Sequence, residues 1–266
     1  MIKAHKFKPK QMQNNSININ TPCVFITLPT YNRSELLQKT INMILAQSLS
    51  TWILLLIDDG SLYEHKCVFR ILKNKYSNDD RLIFVENEHN CKIAKTINRG
   101  IEYFLQRVDD ANNYGYNIGK SYYFTWISDD NDYYPIYLKQ LSSVSADFSY
   151  SSFQLNNILN PSKSGIINKQ YKNKNDLIDH FQGLGSYMWS ENAIRNIGYY
   201  NTSPEINGLE DFDYLVRTFN HFKKDDIKYI YNILMAYNRH ENSGFHVQYE
   251  EIMKRKSVYC SCQKYT

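Results

Sequence analysis

Three carboxylates crowd one short stretch, Ser128-Asp129-Asp130-Asn131-Asp132, directly after the apolar run Tyr122-Tyr123-Phe124-Thr125-Trp126-Ile127. Like charges at this spacing repel unless a positive group sits among them. A hard divalent cation fills that role with oxygen ligands and keeps open positions for substrate phosphates. A solvated acidic turn accounts for the same residues, because Asp and Asn tolerate turn geometry. Two more polar clusters end apolar runs: Pro29-Thr30-Tyr31-Asn32-Arg33 after 23–28, and Asp58-Asp59-Gly60-Ser61 after 52–57. Further on, Glu210-Asp211-Phe212-Asp213 opens a helical pattern. A carboxylate there can serve as a general base or simply complement the helix macrodipole. Arg239-His240 follows the last strand pattern in a polar loop.

These clusters need elements to hold them, and the intervening sequence alternates strand and helix signals. Strands are predicted over 23–28, 52–57, 81–86 and 122–127. Helices are predicted from a cap at Ser34 to about 47, from 64 to 76 with Val68, Ile71 and Leu72 inward, and from 93 to 105 with Ile93, Ile97, Ile101 and Phe104 on one stripe. Continuous apolar strands fit a parallel sheet covered on both faces. The repetition predicts an α/β fold, a doubly wound, Rossmann-like, mostly parallel sheet flanked by helices. Ligands bind such sheets outside the carboxyl ends of the strands, so the three polar strand ends should meet on one rim. Beyond them lie predicted strands over 146–156, 183–189 and 227–237, with a polar excursion over 157–175. Helices are predicted over 191–197, closed by Gly198, through 214–222, and over 250–258.

The bulk composition bounds the reading. With 266 residues, 42% hydrophobic and 22% charged, the chain can build one large core. A net charge of +4 is too mild for a nucleic-acid partner. The five cysteines are odd in number and scattered, which predicts reduced thiols in a cytoplasmic setting. No run is long and apolar enough to span a membrane and the start has no signal-peptide core, so the protein is expected not to be secreted and any membrane contact to be peripheral. Residues 1–21 read as a flexible polar leader, 22–248 as a single domain and 249–266 as a C-terminal helix and tail. Aromatic residues make up 15%, chiefly 23 tyrosines, which suits sugar or base stacking and equally suits packing.

Taken in order, five motifs resemble those of the family-2 glycosyltransferases of the GT-A fold, especially the spore-coat polysaccharide type. They are Leu28-Pro29-Thr30-Tyr31-Asn32-Arg33, Ile57-Asp58-Asp59-Gly60-Ser61, Asn90 with Asn98-Arg99-Gly100-Ile101, Ser128-Asp129-Asp130-Asn131 with Pro135, and Glu210-Asp211. The resemblance spans roughly 24–246. It implies a nucleotide-sugar-binding half at 22–135 and an acceptor half with a smaller sheet at 136–248. It implies inverting, metal-dependent transfer of a sugar from a nucleoside-diphosphate sugar, UDP-linked, to a hydroxyl of a glycan, protein or lipid. A divalent cation, Mn²⁺ or Mg²⁺, would sit at Asp130, with Asp132 and His240 as further ligands. Pro29, Thr30, Tyr31, Arg33, Asp58, Lys92 and Asp129 would surround the donor, and Asp211 would be the catalytic base. Gly185, Ser186 and Trp189 fall where relatives build the acceptor wall.

Two departures matter. Cys91 and Lys92 stand where many relatives carry Gly. Ser128 replaces an Asp, which leaves both Asp129-Asp130 and Asp130-x-Asp132 open as the metal pair. Other classes fit less well. A sugar nucleotidyltransferase wants a Gly-rich basic loop after the first strand, and Pro29 to Arg33 is not one. A non-catalytic nucleotide- or glycan-binding module derived from a transferase would have no need of Asp130 together with Asp211.

Overall fold

A computed structural model describes residues 22–113, 121–241 and 249–263. The predicted leader at 1–21 and most of the loop after His240 lie outside the described residues. In the first half, β1 (Cys23–Thr30), β2 (Trp52–Asp58) and β3 (Leu82–Glu86) alternate with α1 (Ser34–Leu45), α2 (Tyr63–Lys75) and α3 (Ile93–Asn113), before β4 (Tyr122–Trp126). These strands pair in parallel in the order β3-β2-β1-β4. The second half contributes β5 (Asp132–Tyr133), α4 (Tyr137–Ser142), β6 (Phe148–Asn157), β7 (Gly165–Ile167) and α5 (Lys174–His180). It continues through β8 (Tyr187–Ser190), α6 (Glu191–Ile197), α7 (Glu210–His221), β9 (Ile227–Arg239) and the C-terminal helix Tyr249–Gln263.

The doubly wound parallel half matches the sequence expectation. The smaller acceptor-side sheet does not stand apart. Antiparallel β8 joins β4 to β6, β9 runs parallel to β6, and β5 closes the edge against β9. One sheet therefore runs β3-β2-β1-β4-β8-β6-β9-β5, with β7 paired to β6.

Strand periodicity divides the core in two. On β1, Val24, Ile26 and Leu28 face one way, onto Leu37, Ile41 and Ile44 of α1 and Phe69 and Leu72 of α2. Phe25 faces the other way, onto Ile97, Ile101 and Phe104 of α3, as alternation along a strand demands. The second core is mostly aromatic, with Phe148, Tyr150, Trp189, Tyr214 and Phe219 in mutual ring contact. Much of the high Tyr content is thus spent on packing. Among the described residues no helix is long and apolar enough to cross a membrane.

Several local expectations shift. On α2, Val68 and Ile71 are exposed and Phe69 joins Leu72 in the core, because the buried stripe is phased one residue away from the aliphatic pattern. Ile93 is also exposed, at the start of α3, and that helix continues past 105 to Asn113. Ser34 lies inside α1, and Arg33 occupies the cap position without a side-chain cap bond. The Ser34 hydroxyl instead meets His65 Nδ1 at 3.0 Å. The excursion over 157–175 contains β7 and leads into α5, whose cap Asn173 accepts from Asp176 N.

The turn after β2 presses on the loop after β3. Gly60 has φ +74°, and a Cβ there would lie 2.3 Å from the carbonyl carbon of His89 and 2.6 Å from Asn90 N. Both obstacles are backbone and cannot rotate aside. Gly60→Ala is therefore expected to lower stability by ~2–4 kcal/mol, combining left-handed strain with overpacking. Urea unfolding checks this, and a variant as stable as wild type would show that the two loops do not abut.

Candidate active site

β1, β2 and β4 are adjacent, so their carboxyl ends share one rim. Thr30 is in register with Asp58, and Ile127 N donates to Thr27 O at 2.9 Å as the chain leaves β4. The loops then tie themselves together. Asp59 N donates to Thr30 O at 2.8 Å, Asn32 N donates to Ser61 Oγ at 2.9 Å, and Leu62 N donates to Asn32 Oδ1 at 2.8 Å. Asp59 reaches the third loop, accepting from Asn87 Nδ2 at 2.7 Å and Cys91 N at 2.9 Å.

At the centre lie Asp129 and Asp130. Asp129 is 4% exposed and accepts from the Thr30 hydroxyl at 3.0 Å. Arg33 Nη1 donates to Asp130 at 2.8 Å and to Asp129 at 3.4 Å. Burial pushes the Asp129 carboxyl up to about 6; Arg33 pulls it down, and the Asp130 charge pushes it up again. Asp130 also accepts from Ser128 Oγ at 2.6 Å and meets His240 Nε2 at 3.2 Å.

The acidic loop is stitched on every side. Thr40 Oγ1 donates to Asp129 O at 3.1 Å, and Ser128 N donates to the buried Tyr133 hydroxyl at 2.9 Å. Asn238, near the end of β9, donates through Nδ2 to Asp130 O at 2.9 Å and to Asp132 Oδ2 at 3.0 Å, while its N–H reaches Asn131 Oδ1 at 3.0 Å. Asn156 on β6 donates in turn to Asn238 Oδ1 at 3.0 Å. A cleft of about 470 Å³ opens here, lined by Asn32, Arg33, Asp130, Ile158, Asn238 and His240 among others.

The expected metal set divides. Asp130 and His240 come together, but Asp132 is engaged by Asn238 and by an ion pair with Lys39. Among the described residues no group of three His, Cys, Asp or Glu is assembled that could hold a metal ion. This arrangement departs from a protein cage built on Asp130, Asp132 and His240. It is compatible with a cation held by one or two carboxylates and completed by substrate phosphates.

The donor-side candidates scatter more widely. Asp58 is buried, accepting from Ser61 N at 3.3 Å through its side chain and from Asn87 N at 2.7 Å through its carbonyl. Pro29 is half-buried within β1, and Tyr31 is exposed in the loop that follows. Lys92 is exposed with φ +73°, its N–H donating to Asn90 Oδ1 at 2.9 Å. On the acceptor side, Trp189 is interior, its Nε1 donating to Thr218 at 3.3 Å. Ser186 is fully buried, and Gly185 is pressed against Met235 and Phe153.

Asp211 is the second residue of α7 and is half-buried. Burial pushes its carboxyl up to about 7, and neighbouring Glu210 adds to the rise. Its charge is felt by the buried phenols of Tyr187 and Tyr200 and by Tyr237. Tyr237 is raised first by burial and then by both Asp130 and Asp211. One phenol on β9 therefore feels the charge of both the acidic loop and the α7 carboxylate. Sequence reasoning missed Asn238 and Tyr237, and only their position just before Arg239-His240 at a strand end marked them.

Comparisons with known proteins agree with this architecture. The described fold is similar to residues 1–349 of TarS from S. aureus, with TM-score 0.61 and 13% identity over 89% of this chain and 64% of that one. It is also similar to the mannosyltransferase PcManGT from Pyrobaculum calidifontis, solved with GDP-Man and Mn²⁺, with TM-score 0.56 and 10% identity over 90% and 64%. These neighbours are GT-A glycosyltransferases, and the sheet described above is the GT-A fold. The bifunctional glycosyltransferase pgtA of Dictyostelium discoideum is 36% identical over 62 residues, 23% of this chain and 8% of that protein. The chain thus spans less than two thirds of each of these relatives. Residues 25–183, well over half the chain, match the family described as glycosyl transferase family 2, and with the acidic loop inside that match and the GT-A sheet around it, the chain belongs to glycosyl transferase family 2.

Proposed function

We propose that this chain transfers a sugar from a nucleoside-diphosphate sugar, UDP-linked, to an acceptor hydroxyl on a glycan, protein or lipid, with inversion at the anomeric carbon. The observation that supports the proposal is the acidic loop inside the family match, where nearly buried Asp129 stands beside Asp130 with Thr30 and Arg33 bonded to them; we read Asp211, whose carboxyl is raised by burial, as the base. Asp58 offers a buried acceptor for an N–H on the base edge, as uracil presents. Thr30 and Arg33 hold Asp129 and Asp130 in place, at the rim where the diphosphate would bind. A bound Mn²⁺ or Mg²⁺ at Asp130 would neutralise charge on the departing diphosphate. Asp211 takes the proton from the acceptor hydroxyl as that oxygen attacks, on the face opposite the leaving group, which yields inversion. A carboxyl near 7 suits this step, since the best catalytic base titrates near the working pH. We place the reaction in a cytoplasmic, polysaccharide-building setting.

Three tests follow. Thermal shifts with UDP, GDP, CDP and dTDP, each with and without Mn²⁺, should show one diphosphate stabilising the protein only with metal; no shift with any of them sinks the proposal. Asp211→Asn should abolish transfer while leaving diphosphate binding intact. The same substitution has a definite effect on stability. Burial raises Asp211 above its unfolded value of ~3.9, so the stability this group allows is complete below that value and is lost as pH rises through about 7. At pH 8, Asp211→Asn should therefore stabilise the protein by ~1–3 kcal/mol. If Asp211 served only the helix dipole, the change would destabilise, and urea unfolding separates the two.

Arg33 gives the third test. Arg33→Met leaves Asp129 and Asp130 without their cationic partner, and breaking a largely buried pair in this way costs ~1–3 kcal/mol here, below the usual range because Arg33 keeps some solvent contact. Metal-free Tm at pH 8 should fall, and Mn²⁺ should narrow the gap to wild type. Equal losses with and without Mn²⁺ would separate Arg33 from the cation site.

A further inference from the structure

A helix start is the weakest part of a helix, because its first N–H groups lack intrahelical partners. Asp211 sits in that first turn, and Leu209 at the cap position makes no side-chain cap bond. The local sequence therefore does not secure the residue proposed as the base. The C-terminal helix, outside the 25–183 family match, holds the chain on either side of it. Ile252 packs with Ile206 and Leu209 in a small cluster separate from both main cores. Gly208, at φ +85°, lies so close that a Cβ would come 2.7 Å from Ile252 Cγ1. Arg255 Nη1 donates to Asn207 O at 2.7 Å. The Tyr259 hydroxyl donates to Asp213 Oδ1 at 2.8 Å, and Arg217 Nε donates to the other oxygen of that carboxylate at 2.9 Å. Arg217 in turn holds the carbonyls of Ile197 and Tyr199 at 2.9 and 3.0 Å. Lys256 Nζ lies 4.8 Å from the Phe212 ring centre and 5.2 Å from that of Phe181.

Residues 207, 208, 209, 212 and 213 are thus all gripped by one helix, and Asp211 sits inside the grip. We infer that the C-terminal helix is a clamp that sets the position and solvent access of Asp211, with Arg255 and Tyr259 as positioning residues. The inference rests on the reading of Asp211 as the base. The ionisable groups whose charge couples to Asp211 are Glu210 on α7, Tyr187 on β8, Tyr200 after α6 and Tyr237 on β9. The clamp acts through the backbone at 207–209 and through Asp213, keeping the first turn closed around the carboxyl. If it loosens, the turn frays, water reaches Asp211, and the carboxyl falls toward its ordinary range.

The test uses the full chain carrying ¹³C-carboxyl aspartate, with the Asp211 signal assigned by its loss in Asp211→Asn. In the variant Arg255→Met/Tyr259→Phe, the Asp211 titration midpoint should drop by at least one pH unit. The acid limb of the kcat profile should move with it, and kcat should fall roughly 10- to 100-fold, as expected when a reacting group is misplaced. The affinity for UDP with Mn²⁺ should stay within twofold. If the double variant does not fold cooperatively, Tyr259→Phe alone is read in the same way, and Arg255→Lys should restore part of the loss. An unchanged Asp211 midpoint and acid limb in a folded variant overturns the clamp. A wild-type protein without transfer activity would defeat the proposed function, and the carboxyl titration would still decide the clamp.

Discussion

Two carboxylates that cannot both be charged without help organise this molecule. Asp129 and Asp130 stand side by side at the end of β4, one of them almost fully removed from water. An isolated buried carboxylate is costly unless it is paired and hydrogen-bonded. The chain answers with Arg33 from the loop after β1, Thr30 from the end of β1, Ser128 from within the loop and His240 from the end of β9. Apart from Ser128, those partners come from distant parts of the sequence, so the acidic loop ties the parallel half of the sheet to its mixed half. Asn238 and Asn156 extend the tie across β9 and β6. Even with these contacts Asp129 remains above the ordinary carboxylate range. The remaining imbalance is of the sign that an added positive charge at this rim would relieve.

The parallel half was legible because its signals are local and repeated. Each of β1, β2 and β4 is an apolar run ending in polar residues, and adjacency of those strands forces the ends onto one rim whatever the side chains do next. What was not legible is which acidic residue does what. Asp59 looks as functional as Asp58 in sequence, yet Asp59 is spent on Asn87 and Cys91 N, binding one loop to another. Asp132 looks as ready for metal as Asp130, yet Lys39 and Asn238 hold it. These assignments depend on partners 28 to 106 residues away, and no local pattern carries that information. The aliphatic pattern of α2 misled for a related reason: an exposed Val68 and Ile71 beside a buried Phe69 read as an inward stripe until the sheet fixes the helix phase.

Asp211 shows the limit from the other side. Its neighbours Glu210 and Asp213 fit a helix opening so well that the carboxylates alone say nothing about chemistry. The three residues separate only by environment. Asp213 is consumed by Arg217 and Tyr259, two donors that leave it a structural anchor. Among the described residues Asp211 shows no such anchor; its charge is instead felt by the phenols of Tyr187, Tyr200 and Tyr237, and burial lifts its carboxyl to about 7. The Asp213–Arg217 ion pair fixes the helix start, and burial raises the carboxyl two residues earlier well above the ordinary carboxylate range. The fold therefore bears an electrostatic cost at the proposed base as it does at Asp129: in both places a carboxyl stands where packing disfavours charge. Asp211, β9 beside the acidic loop and the C-terminal helix around the start of α7 all lie outside the segment that matches the family, so that segment marks the acidic loop but neither the proposed base nor what holds it in place.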